Sequence, residues 1–90
     1  MTTEEFNRHA AARRTAIANG ILHPASLIGL AQDRLRRIAE ARDARPDWHH
    51  QHDAATADAL AVLAEGKAAT ARADATARSC KPPARGVGVP

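Results

Sequence analysis

The sequence predicts an all-α fold: a small helical bundle in which an antiparallel helical hairpin carries an additional N-terminal helix. Three observations predict it. Alanine, the best helix former, supplies more than half of the 44% hydrophobic residues. No stretch alternates apolar and polar residues as a half-buried strand would, Tyr is absent, and Val62 is the only valine before residue 87. Large apolar residues recur instead at helical spacing, between residues that start and stop helices.

The first helix opens on Thr2 and Glu5, which stand in capping-box spacing. It is expected to run to about Asn19, with Gly20 as the left-handed cap and Ile21 and Leu22 available for the apolar contact that accompanies such a cap. Phe6, Ala10 and Ile17 form a weak stripe, and Arg13 and Arg14 fall on or beside its middle. The second helix begins at His23-Pro24, since proline is tolerated in a first turn. Leu27, Ile28, Ala31, Leu35, Ile38 and Ala39 give it the spacing of a buried face. Asp33 with Arg37 and Arg36 with Glu40 are spaced as i,i+4 ion pairs on its solvent side. The helix should end near Arg45, because the residue before Pro46 is steered out of helical conformation.

Asp47 is the expected N-cap of the third helix, starting at Trp48, with Trp48, His52, Ala55, Ala59, Val62 and Leu63 facing the core. The short connection makes helices two and three an antiparallel hairpin from Pro24 to about Ser79. Gly66 interrupts the apolar pattern. Beyond it, Lys67 to Ser79 is helical by propensity but holds no large apolar residue, which marks a surface or extended helix. The echo of Ala69-Thr70-Ala71-Arg72 in Ala75-Thr76-Ala77-Arg78 matches no repeat architecture. Residues 1–80 thus form one helical domain, and the Pro/Gly-rich residues 81–90 are expected to be a disordered, dispensable tail.

Ninety residues bound the chain to one small domain. With alanine so abundant, the set of large core residues is thin, and single-chain packing should leave one or more of Leu27, Leu30, Leu35, Ile38 and Leu63 partly exposed. A homo-oligomer or a subunit of a complex is therefore expected. The net charge of +3 favours acidic surfaces without demanding nucleic acid. The single cysteine, Cys80, excludes an internal disulfide and fits a reducing cytoplasm. No apolar run approaches the length of a membrane span or a signal core, so a cytoplasmic location without membrane contact is expected.

The sharpest local cluster is His49-His50-Gln51-His52-Asp53. Two or three of these side chains could converge on a metal, with His23 as the only distant recruit, yet zinc sites want three or four ligands. A polar helix start with one half-buried histidine accounts for the same residues, and neither metal nor cofactor is expected. For catalysis there is no constellation: Cys80 has no wall around it, Ser26 and Ser79 have no paired base, and no glycine loop cradles phosphate.

Basic residues form two groups. Arg34, Arg36, Arg37, Arg42 and Arg45 are nearly balanced by Asp33, Glu40, Asp43 and Asp47, which suggests an ion-paired face. Lys67, Arg72, Arg78, Lys81 and Arg85 have only Asp74 against them. Helices one and two also resemble helix-turn-helix spacing, but the second would read bases with Pro24, Ala25, Ser26 and Leu27, a poor set. Single-strand recognition usually stacks bases on aromatics, and the only two here, Phe6 and Trp48, are expected in the core.

The expected function is therefore non-enzymatic protein–protein binding. The chain would serve as an adaptor, an assembly subunit or an occluding inhibitor of a larger complex, in the style of phage or mobile-element proteins that act against host defence. Leu30, Arg34, Arg37, Lys67, Arg72 and Arg78 are the expected partner-binding residues. The alternative is a nucleic-acid-binding protein that uses the basic C-terminal run.

Overall fold

The computed structural model describes residues 2–80, with side chains through residue 77. The expected tail, residues 81–90, lies outside the described residues. Among the described residues there are three α-helices, α1 (Thr3–Ala18), α2 (Ala25–Ala44) and α3 (His49–Cys80), with a single 3₁₀ turn at Pro46–Trp48 between the last two. α2 and α3 form the hairpin, and α1 packs as the extra helix.

Local chemistry sets the first two helices as expected. The Thr2 hydroxyl accepts from the Glu5 N–H at 3.2 Å, and the Glu5 carboxylate accepts from the Thr2 N–H at 2.8 Å, which closes the capping box. At the other end Gly20 adopts φ +73°. Its N–H donates to the Ile17 carbonyl at 3.1 Å and the Ile21 N–H donates to the Ala16 carbonyl at 2.8 Å, the two bonds of a Schellman cap. The Ala25 N–H donates to His23 Nδ1 at 3.0 Å, so the imidazole satisfies a free donor at the start of α2. α2 ends where expected, its last carbonyls reached by the Arg45 N–H (2.8 Å to Ala41) just ahead of Pro46.

The start of the third helix differs from expectation. Pro46, with its fixed φ, opens a 3₁₀ turn closed by the Trp48 N–H on the Arg45 carbonyl at 3.1 Å. α3 then begins at His49, and Asp47 does not cap it: its carboxylate pairs with Arg45 at 3.3 Å. The 3₁₀ turn also takes Trp48 out of phase with α3. Rather than joining the core, Trp48 is 44% exposed, with the Arg45 guanidinium 4.2 Å from its ring centre. On α2, Arg36 pairs with Asp33 and not with Glu40. Arg37 reaches the same carboxylate at 2.9 Å, so Asp33 serves two arginines.

Gly66 does not interrupt α3, which runs 32 residues through it. It is buried against α2, and a Cβ there would lie 3.0 Å from the Ile28 amide nitrogen, Ile28 Cγ1 and Leu27 Cβ. Ala59, Gly66 and Ala73 fall at seven-residue intervals along this inner line, and their small size lets the two helices approach closely. Gly66→Ala accordingly sets two effects against each other. Helix propensity gains about 1 kcal/mol, while overpacking costs about 1–3 kcal/mol. One of the three neighbours is backbone and has no rotamer to escape into, so the clash should prevail. The expected outcome in urea denaturation is a net loss of up to about 2 kcal/mol; a stabilised variant would contradict the close approach.

The core is built from Phe6 and Ala10 of α1, Leu27, Leu30, Ala31 and Ile38 of α2, and Ala59 and Val62 of α3. Ile17, Leu35, Ala55 and Leu63 pack against it half-buried. The scarcity of large residues thus falls on Leu35 and Leu63, while Leu27, Leu30 and Ile38 are covered.

α1 lies on one side of the hairpin. Its Arg14 grips Glu65 of α3 with two hydrogen bonds, at 2.7 and 2.8 Å. Arg34 of α2 is buried beneath it, with its guanidinium 5.8 Å from the Phe6 ring centre and Nη2 donating to the Thr3 hydroxyl at 3.3 Å.

Candidate functional site

Three regions carry enough chemistry to be weighed. The first is an open cleft of about 640 Å³ between the start of α1, the middle of α2 and the start of α3, with Arg34, Arg37, Glu40, Trp48, Gln51 and His52 on its walls. That volume lies in the range of small-molecule pockets. Three of its polar groups, however, are engaged in holding the fold. His52 is buried, and its Nε2 donates to the Arg45 carbonyl at 2.8 Å, which ties α3 to the end of α2. Arg34 holds Thr3 and Phe6, and Arg37 is paired with Asp33.

The second region is the histidine cluster. Helical phase splits it: His52 turns inward, while the His49 and His50 rings face each other on the surface, centroids 4.1 Å apart and tilted by 50°. Asp53 is taken by Arg42 at 2.7 Å, which holds its carboxyl below the usual range. His23 lies at the far end, ahead of α2, where its Nδ1 accepts from the Ala25 N–H. Among the described residues no group of three or more His, Cys, Asp or Glu could hold a metal ion.

The third region is the end of the bundle where α1 turns into α2. In a Schellman cap the residue after the glycine usually folds back on the helix it follows. Here that residue, Ile21, is 74% exposed, and Leu22 beside it is 40% exposed. The hydrogen bonds of the cap fix the backbone of the turn, so the pair is presented rather than left loose. α3 passes this turn, because Gly66 already lies level with Leu27 and Ile28 near the start of α2. Arg72 sits two helical turns beyond Glu65 and on the same side of α3, the side on which α1 lies. It is exposed, and among the described residues no ion pair involves it or Lys67.

The six expected partner-binding residues divide accordingly. Leu30 is buried in the core because α1 lands on it, so it offers a partner nothing in the folded chain. Arg34 is buried with it, and Arg37 is exposed but shares Asp33 with Arg36. Lys67 and Arg72 are exposed on α3, and the Arg78 side chain lies outside the described residues. Sequence reasoning assigned Ile21 and Leu22 to helix capping and missed their exposure. The signal available was two branched residues after a turn glycine, with only the small Ala16 at the position of α1 onto which the first of them would fold.

Among the described residues no helix is long and apolar enough to cross a membrane. No protein-family model matches the chain, and neither the curated proteins nor the solved structures contain a match to it.

Proposed function

We propose that this chain acts without catalysis, by docking onto another protein through the end of the bundle that carries Ile21 and Leu22. The observation that supports this most is the 74% exposure of Ile21 at a hydrogen-bonded turn, with Leu22 next to it. Full burial of such a side chain contributes about 1.5–3 kcal/mol, and a partner's pocket would recover the exposed share of it, most of it at Ile21 and less than half at Leu22. Arg72 stands on the same side of the bundle end, so the complementary surface is an apolar pocket with an acidic rim. An adaptor, an assembly subunit or an occluding inhibitor would each use such an end, including an inhibitor of host defence carried by a phage or mobile element. A cytoplasmic setting fits the single cysteine.

Nucleic-acid binding is the second reading, favoured by the exposed Lys67 and Arg72 on α3. Trp48, the exposed aromatic on which a base could stack, lies at the opposite end of the hairpin from these cations, which favours a protein partner. Comparative capture from host cells tests the proposal, using the full chain and the triple variant Ile21→Ser, Leu22→Ser, Arg72→Glu. The expected result is a protein retained by the first and lost from the second, with unchanged helicity. Equal retention by both would overturn the docking site. Binding to generic DNA or RNA that weakens steeply with salt would support the second reading instead.

A further inference from the structure

The α2–α3 hairpin has two broad faces, and among the described residues α1 covers only one of them. Ser26, Leu30 and Asp33 of α2 line a cleft together with His9 and Arg13 of α1, so that side of α2 faces the extra helix. Ile28 and Leu35 lie on the other side of α2 by helical phase, and both are half-buried. On α3 the side away from Glu65 carries Leu60, 49% exposed, with half-buried Leu63 and exposed Ala57 and Ala64 beside it. The Arg42–Asp53 ion pair, at 2.7 Å, marks the same edge of the hairpin. An apolar strip therefore runs along the uncovered face.

Its charges say what fits it. Asp53 lies seven residues before Leu60 and Lys67 lies seven residues after, so all three fall on one side of α3. We infer that this face binds a second copy of the same chain, with the two α3 helices antiparallel and crossing at Leu60. Turning a copy about an axis through Leu60 lays Leu60 on Leu60 and brings Ala57 and Ala64 together on either side. It also sets Asp53 of each chain against Lys67 of the other, twice, over a contact roughly 21 Å long at 1.5 Å per residue. Asp53 keeps acceptor capacity for this: its side chain is 68% exposed and only one oxygen is engaged by Arg42. A parallel pairing would set Asp53 on Asp53 and Lys67 on Lys67, like charges at both ends. The small side chains at 57 and 64 let the helices approach, and the contact is the same patch on both partners, so it closes at two chains. Ile21 and Leu22, at the α1–α2 turn, stay outside this contact, so the dimer leaves the proposed docking end accessible at both of its ends.

Sedimentation equilibrium of the full chain at micromolar concentration tests the inference. The expected mass is twice the chain mass of 9.6 kDa. Leu60→Glu and Lys67→Asp should each weaken the dimer at least tenfold while leaving helicity unchanged. Combining Asp53→Lys with Lys67→Asp in one chain should restore it, because every cross-chain pair is then reversed. A mass of 9.6 kDa throughout, an assembly larger than two, or a dimer indifferent to both single variants would each overturn the inference. So would a folded double variant that stays monomeric. Any of these would leave the capture experiment on Ile21 and Leu22 standing.

Discussion

Replacing Leu27 with aspartate is expected to leave no folded protein at room temperature. Leu27 is one of the two largest fully buried side chains, and it packs beside Gly66, where α2 and α3 come closest. The substitution removes a leucine from the core, which alone costs about 2–5 kcal/mol. It also places a carboxylate where water is absent, a further penalty of several kcal/mol unless it finds a partner. Along the helix the residues three and four positions away are Pro24, Leu30, His23 and Ala31; of these only His23 could pair with it, and its exposed imidazole already accepts from the Ala25 N–H at the start of α2, while the nearest arginine of α2 is Arg34, seven residues on. Domains of this size have about 5–15 kcal/mol of stability in total, and an alanine-rich core places this one low in that range. Circular dichroism at 222 nm should show most of the helical signal lost. A helical variant that melts cooperatively would contradict the core described above.

The second large effect is expected at Phe6. Only Phe6 and Ala10 of α1 are buried, so the phenyl ring is the main anchor of that helix, and Arg34 packs against its face. Phe6→Ala should cost about 3–5 kcal/mol, and the loss should be uneven. With the ring gone, α1 keeps only small or half-buried apolar contacts through Ala10 and Ile17, the Arg34–Thr3 hydrogen bond and the exposed Arg14–Glu65 pair, and exposed pairs contribute about 0–1 kcal/mol. Hydrogen exchange should therefore show α1 amides losing protection before those of α2 and α3. A variant whose melting temperature and α1 protection match the parent would show that α1 is held some other way.

What the sequence made legible was local chemistry. The capping box at Thr2 and Glu5, the left-handed Gly20 and the stop at Pro46 each depend on neighbours within four residues, and each appears as expected. What it concealed depended on contacts between helices. Gly66 looked like a break because its purpose, a 3.0 Å approach to Ile28, exists only when α2 is present. Arg34 looked like part of a charged face, and Leu30 like leftover apolar surface, until α1 covered both. Trp48 changed sides through a single 3₁₀ turn, a shift in phase that composition does not reveal. The same limit applies to the candidate site: exposure of Ile21 and Leu22 is a property of the packed bundle, and capping logic alone assigned them elsewhere.

Docking through the Ile21–Leu22 end of the bundle is the proposed mode of action. It is tested most directly by a photo-crosslinking amino acid placed at position 21 of the otherwise unchanged protein in its host cells. Position 43, exposed near the opposite end on α2, serves as the control. The claim predicts a discrete protein adduct from position 21 and none of the same mass from position 43. Adducts to nucleic acid, or the same protein adduct from both positions, would contradict it.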